Sequence, residues 1–120
     1  MKIAITATGD TLESGVDPRF GRAKTFIVVD TETGEVTTHD NCQNLNAMQG
    51  AGIQAAQNVA ALGVQAVISG NAGPKAFRVL SAAGIAVYLC SDGTVADAVA
   101  RFKRCELKAI EAANVEGHWA

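Results

Sequence analysis

From Met1 to Thr8, apolar Ile3, Ile5 and Ala7 alternate with small or polar residues, the period of a β-strand. Gly9 to Lys24 then reads as a loop, too long for a hairpin turn and therefore a candidate for function. Thr25 to Asp30 is a second strand and Thr31 to Gly34 a turn. Glu35 to Asp40 is a β-rich partner strand, so the pair forms a hairpin. Asn41 to Gln49 is a polar loop. From Gly50 the period lengthens: Ile53, Ala56, Val59 and Ala60 fall at helical spacing up to Leu62, and Gly63 supplies a C-terminal cap. Val64 to Ser69 is a strand, and Gly73-Pro74 opens a helix whose apolar face carries Phe77 and Leu80. Ile85 to Leu89 is the fifth strand. Thr94 with Asp97 three residues on makes a capping box for a third helix with Val95, Ala98, Val99 and Phe102 along its stripe. The pattern extends that helix through Leu107 and Ile110, with fraying at Asn114.

The strings Gly63-Val64-Gln65-Ala66-Val67 and Gly84-Ile85-Ala86-Val87 echo each other, each a helix-ending glycine followed by a strand. Successive βα units read this way. The element order β-β-β-α-β-α-β-α predicts one α/β domain. A meander of three strands followed by two right-handed crossovers gives a five-stranded mixed sheet in the order 3-2-1-4-5 with three helices. In that topology strands 1, 3, 4 and 5 end on one rim. The loops Gly9 to Lys24, Asn41 to Gln49, Gly70 to Gly73 and Cys90 to Thr94 therefore converge there. Ligands of open α/β sheets sit outside the carboxyl ends of the strands, so the rim is the expected site.

Composition narrows what the rim can do. The chain has 120 residues, room for one compact domain. Its core must be aliphatic, because 48% of residues are hydrophobic but only 5% aromatic. A net charge of −2 argues against a general nucleic-acid binder. No apolar stretch approaches the ~20 residues of a membrane span, and Met1 to Ile5 runs into Gly9-Asp10 too soon for a signal peptide. The expectation is a cytoplasmic protein. Three cysteines without a C-x-x-C pair give no disulfide framework or closed zinc site and read as reduced thiols. Charge is uneven: Asn41 to Ser91 holds no Asp or Glu, and only Lys75 and Arg78 are charged there. That is the composition of a buried core segment, and it also leaves an anion site without a competitor.

Several chemistries fall away. Gly50-Ala51-Gly52-Ile53-Gln54-Ala55 fits a loose dinucleotide fingerprint, but a polar loop precedes it and no acid follows some 20 residues on. No P-loop sequence occurs. The two histidines, His39 and His118, have no nucleophile at a recognisable elbow, so no hydrolytic triad can be built. The first strand lacks the carboxylates of a two-metal nuclease. Small residues at Gly50, Ala51 and Gly52, and at Gly70, Asn71, Ala72 and Gly73, can expose helix-start N–H groups to an anion, or can serve only turns and close packing. Asp17-Pro18-Arg19-Phe20-Gly21-Arg22 is the most specific string, two guanidinium groups around a phenylalanine expected to be exposed. With Lys24 and Lys75 they can hold a multiply charged anion through charge-assisted hydrogen bonds. Alternatively, Asp17 pairs with one arginine and orders the loop. Cys90 at a strand end reads as a small buried hydrophobe. Arg101-Phe102-Lys103-Arg104 reads as a solvated basic turn or a docking surface.

That string, together with Gly50-Ala51-Gly52, Gly70-Asn71-Ala72-Gly73-Pro74 and Gly84-Ile85-Ala86-Val87-Tyr88, resembles the dinitrogenase iron–molybdenum cofactor biosynthesis family. The family includes NifX-type carriers, the C-terminal part of NifB-type proteins and small stand-alone members such as orange proteins. The resemblance covers residues 1–107, with 108–120 as a tail. It implies a ribonuclease-H-like sheet and a non-enzymatic role, binding or delivering a metal–sulfur cluster of molybdenum–copper sulfide or iron–molybdenum/iron–sulfur type. It also implies P-loop ATPase and ferredoxin-like proteins as partners. NifX-type carriers have His where this chain has Arg19, and a guanidinium cannot ligate a metal. The Arg form resembles the stand-alone members and favours outer-sphere binding. Arg19, Phe20, Gly21, Arg22, Gly50, Ala51, Gly52, Gly70, Asn71, Ala72, Gly73 and Lys75 are the expected contacts, with Cys42 and His118 as candidate metal ligands. The competing reading is a metal-free interaction or regulatory module partnering a P-loop ATPase.

Overall fold

In the computed structural model, residues 1–41, 50–90 and 92–110 are described. Strand β1 (Lys2–Ala7) lies at the centre of a five-stranded sheet, and Ile3 to Ala7 are all fully buried. It pairs antiparallel with β2 (Thr25–Asp30) over six residues, from Lys2 opposite Asp30 to Ala7 opposite Thr25. Strand β3 (Val36–Asp40) pairs antiparallel with β2. On the other side, β4 (Ala66–Ser69) runs parallel to β1, and β5 (Ala86–Leu89) parallel to β4. The order is β3-β2-β1-β4-β5, the topology that the element pattern predicts.

Side-chain alternation divides the interior into two cores. Ala4, Phe26, Val28, Val67 and Val87 face helices α1 (Ala51–Ala60) and α2 (Pro74–Ala82), meeting Ala55, Ala56, Val59, Ala76 and Leu80. Ile3, Ile5, Ile27, Val29 and Ile68 face α3 (Val95–Lys103), meeting Val95, Ala98 and Val99. The many alanines let helix and sheet approach closely, so few aromatics are needed to fill the space. Both echo glycines end helices in the left-handed region, Gly63 at φ 72° and Gly84 at φ 76°, where a side chain would be strained. β3 is an exposed edge whose Thr37, Thr38 and Asp40 face solvent, a polar border that discourages strand addition. Among the described residues, no helix is long and apolar enough to cross a membrane.

One expectation fails. The third helix does not continue through Leu107 and Ile110: Arg104 caps it, and Cys105 turns the chain with φ 60°. The segment then crosses the β5 edge, where Ala109 bridges Tyr88 and the Ile110 N–H donates to the Val87 carbonyl at 2.8 Å. Leu107 packs on the α3 side and Ile110 on the α1/α2 side. Residues bound for opposite faces of the sheet cannot both be reached from one straight helix, so burial ends the helix where no breaker residue does.

The start of α3 is closed by the expected capping box: the Asp97 N–H donates to Thr94 Oγ1 at 3.1 Å and the Thr94 N–H to Asp97 Oδ2 at 3.0 Å. Hydrogen bonding from Thr94, its backbone N–H first and its side chain second, holds the Asp97 carboxyl below its ordinary pKa. Replacing Thr94 with Ala should cost about 1 kcal/mol in urea unfolding, with an unchanged slope. Because the folded pKa of Asp97 is depressed, its stabilisation is complete above pH ~4 and is lost as pH falls through the folded value. The stability gap between the parent chain and Asp97→Asn should therefore be constant near neutrality and close below pH ~4.

Candidate functional site

β1, β4 and β5 are mutually parallel, and two antiparallel steps make β3 parallel to β1, so their carboxyl ends share one rim. The loop leaving β1 divides its work there. Its first half is tied to the start of α3. Val16 N–H donates to the Gly93 carbonyl, while the carbonyls of Ser14 and Leu12 accept from the N–H groups of Val95 and Ala96. The first turn of α3 is thus saturated, with its own acid, Asp97, already in place.

The second half carries the arginines. The Asp17 side chain is buried, at 1% exposure, whereas Arg19 is 65% exposed. The Arg19 N–H donates to Asp17 Oδ1 at 2.9 Å, its Nε to the same oxygen at 3.2 Å, and Nη2 to Oδ2 at 3.4 Å. The hydrogen bonds and charge of Asp17 push the Arg19 pKa further up, so this residue is a permanent cation with no acid–base role. Pairing with Asp17 and ordering of the loop is thus the observed arrangement. Arg22 and Lys24 are exposed.

Phe20 departs from expectation. It is 2% exposed, in the α1/α2 core, with its ring 5.8 Å from that of Phe26. A lone aromatic in a loop gains more by plugging the end of a core than by meeting water. Phe20 therefore anchors the loop between two exposed arginines, with its ring turned into the core. Asn41, just past β3, clamps the far end of the same loop. Its Nδ2 donates to the carbonyls of Gly21 at 3.3 Å and Ala23 at 2.9 Å, and its Oδ1 accepts from Asn58 of α1 at 3.0 Å. Sequence reading passes over Asn41, because an Asn opening a polar loop looks like a turn residue until its partners are known.

The small-residue segments separate into packing and surface roles. A Cβ on Gly70 would lie 2.5 Å from Pro18 Cα, so the turn after β4 packs directly on the arginine loop. A Cβ on Gly52 would meet Ala76 Cβ at 3.4 Å, making Gly52 part of the α1–α2 contact. Ala72 and Gly73 are buried and Asn71 half-buried, with the Asn71 carbonyl accepting from Ser69 Oγ at 3.3 Å. Gly50, exposed, caps α1, which Ala51 opens; Gly73 caps α2, and Lys75 is exposed on its first turn. Among the described residues, neither helix has a side-chain cap or an acid in its first turn, in contrast to α3. Their leading N–H groups have no acceptor within the helix and carry the positive end of its dipole.

Among the described residues no group of three or more His, Cys, Asp and Glu side chains could hold a metal ion. Cys90 is 5% exposed in the α3-side core, as expected of a small hydrophobe. Its Sγ lies 3.4 Å from the Asp92 carbonyl oxygen and 3.6 Å from Arg101 Nη1, and Arg101 is paired with Asp92 at 2.9 Å. Cys42 and His118 lie outside the described residues. The described polar groups offered by the arginine loop and the starts of α1 and α2 are guanidinium, ammonium and amide N–H groups.

Two substitutions test this assembly. Phe20→Ala should cost about 3–5 kcal/mol in urea unfolding, as a core truncation does; an exposed ring would cost within ~0.5 kcal/mol. Gly70→Ala, forced against Pro18, should cost about 1–3 kcal/mol through overpacking.

Comparison with known proteins agrees with this architecture. The apo form of the orange protein from Desulfovibrio gigas is 43% identical, with a TM-score of 0.89 over 95% of this chain and 96% of that one. A NifB-like protein from Thermotoga is 34% identical, with a TM-score of 0.80 over 95% and 97% of the two chains. An uncharacterized protein of Methanocaldococcus jannaschii is 34% identical over 113 residues, 92% of each chain. Residues 1–104 match the family described as dinitrogenase iron-molybdenum cofactor. The chain belongs to that family.

Proposed function

We propose that this chain is a non-enzymatic carrier or scaffold that holds an anionic metal–sulfur cluster at the carboxyl-end rim, largely by outer-sphere contacts. Family membership and the likeness to the orange protein support a role in cofactor biosynthesis or carriage. The observation that carries the outer-sphere reading is that, among the described residues, the helix starts at Gly50 and Gly73 have no side-chain cap and no first-turn acid, in contrast to the fully capped α3. The arginine loop packs against Gly70, in the turn that leads to the second of these starts. A helix start favours an anion by about 0.3–1 kcal/mol. Arg22, the outward edge of Arg19 and Lys75 add charge-assisted donors.

The cluster is cargo. Its sulfides would accept hydrogen bonds from these groups without displacing any of them into its coordination sphere, so it can be released intact to an acceptor. Molybdenum–copper sulfide and iron–molybdenum or iron–sulfur species both present such acceptors. A P-loop ATPase and a ferredoxin-like protein are the proposed partners in assembly or delivery.

The test is anaerobic purification from the native host, followed by a visible spectrum with metal and sulfide analysis, and titration of the metal-free chain with tetrathiomolybdate. The carrier reading expects a coloured species with near-stoichiometric sulfide, and retention that weakens as salt rises. Arg22→Ala should weaken uptake roughly tenfold without changing the circular dichroism. Because guanidinium and amide donors do not titrate, affinity should be flat from pH ~6 to ~9, whereas ligation by thiolate or imidazole would impose a pH dependence. A colourless chain that takes up neither tetrathiomolybdate, copper nor iron sulfide would instead be a metal-free interaction module.

A further inference from the structure

We propose that Asp17 is a positioning residue that turns Arg19 into an oriented hydrogen-bond donor, so that Arg19 recognises its ligand by geometry and contributes little net charge to the rim. This rests on the carrier reading above and specifies how the rim selects its cargo.

A long, exposed arginine ordinarily samples many rotamers and acts as a diffuse cation. Here its root and one edge are both fixed. The Asp17 N–H donates to the Thr6 carbonyl at 2.9 Å and Thr6 Oγ1 donates to the Asp17 carbonyl at 2.7 Å, so Asp17 is fastened to the central strand. Pro18 is seated on Gly70 and Phe20 is buried in the core, so Arg19 is held from both sides in sequence. The buried carboxylate then takes the Arg19 backbone N–H and the Nε–Nη2 edge of its guanidinium. What remains exposed is the Nη1–Nη2 end of the fork. Two parallel N–H vectors at that end suit an anion presenting two adjacent acceptor atoms, such as the edge of a tetrahedral thiometallate.

Charge gives the proposal its test. Asp17 formally cancels Arg19, so the pair adds no net charge to the rim. If Arg19 served mainly as a cation, a carboxylate 3.2 Å away would oppose its function, and removing it would strengthen anion binding. If Arg19 serves by orientation, removing the carboxylate weakens binding although the site becomes more positive. The two roles predict opposite signs.

The experiment is optical titration of the metal-free chain with tetrathiomolybdate for the parent, Asp17→Asn and Arg19→Lys, at two salt concentrations. We expect Asp17→Asn to bind about tenfold more weakly or worse while its salt dependence steepens, a pairing that simple loosening of the fold would not produce. Arg19→Lys keeps the charge, and the residue-19 backbone N–H still donates to the buried Asp17 carboxylate, so it perturbs the fold less than Asp17→Asn; circular dichroism of both variants checks this. It should lose about as much affinity as Asp17→Asn. Equal or tighter binding by Asp17→Asn, or parent-like binding by Arg19→Lys, overturns the positioning role while leaving the carrier reading intact. A parent chain that binds neither tetrathiomolybdate nor, in parallel titrations, copper or iron sulfide overturns both.

Discussion

Strand β1 is paired on both edges and buried on both faces, and the rest of the molecule is arranged around that requirement. A strand with no solvent contact must have helices on either side, which α1 and α2 provide for Ala4 and α3 provides for Ile3 and Ile5. The chain leaving its carboxyl end must also be tied down within a few residues. Thr6, buried at the penultimate position of the strand, does this by hydrogen-bonding Asp17. From that bond the order passes outward, through the buried carboxylate to Arg19 and through Pro18 to the turn after β4.

The three helix starts at the rim are not equivalent. The first half of the β1 loop supplies carbonyls to α3, whose capping box provides the negative charge that its dipole favours. Among the described residues, α1 and α2 begin on glycine without side-chain caps, in a stretch from Asn41 to Ser91 that holds no Asp or Glu at all. A protein optimised only for stability would place Asp or Ser at such positions. Leaving them bare beside a tethered arginine loop is consistent with a ligand that supplies the negative charge itself.

Much of this was legible in the sequence because its signals are local. Two-residue alternation marked β1, glycines at 63 and 84 marked helix ends, and Thr94 with Asp97 marked a helix start. From those elements, handedness alone gave the strand order and the shared rim. The failures share a cause, dependence on contacts between residues distant in the chain. Phe20 looks exposed until the loop is known to fold back onto Phe26. α3 looks longer because no Gly or Pro follows Lys103 closely, and only the need to bury Leu107 and Ile110 on opposite faces ends it. The same holds at the site, where the arginine string and small-residue turns were visible as candidates. That Gly52 packs on Ala76, that Gly70 bears on Pro18 and that Asn41 clamps the loop to Asn58 could come only from the fold.

The central claim is that an anionic sulfide cluster sits on bare helix starts and an arginine loop without entering the protein's coordination. Backbone amide NMR of the isotopically labelled, metal-free chain during titration with tetrathiomolybdate tests it most directly. The account predicts saturable shifts concentrated in the amides of Arg19 to Arg22, Ala51 to Ile53, Asn71 to Gly73 and Lys75. The first turn of α3, from Val95 to Ala98, should stay unmoved. Shifts centred on α3, shifts spread evenly over the chain, or none at saturating thiomolybdate would contradict it.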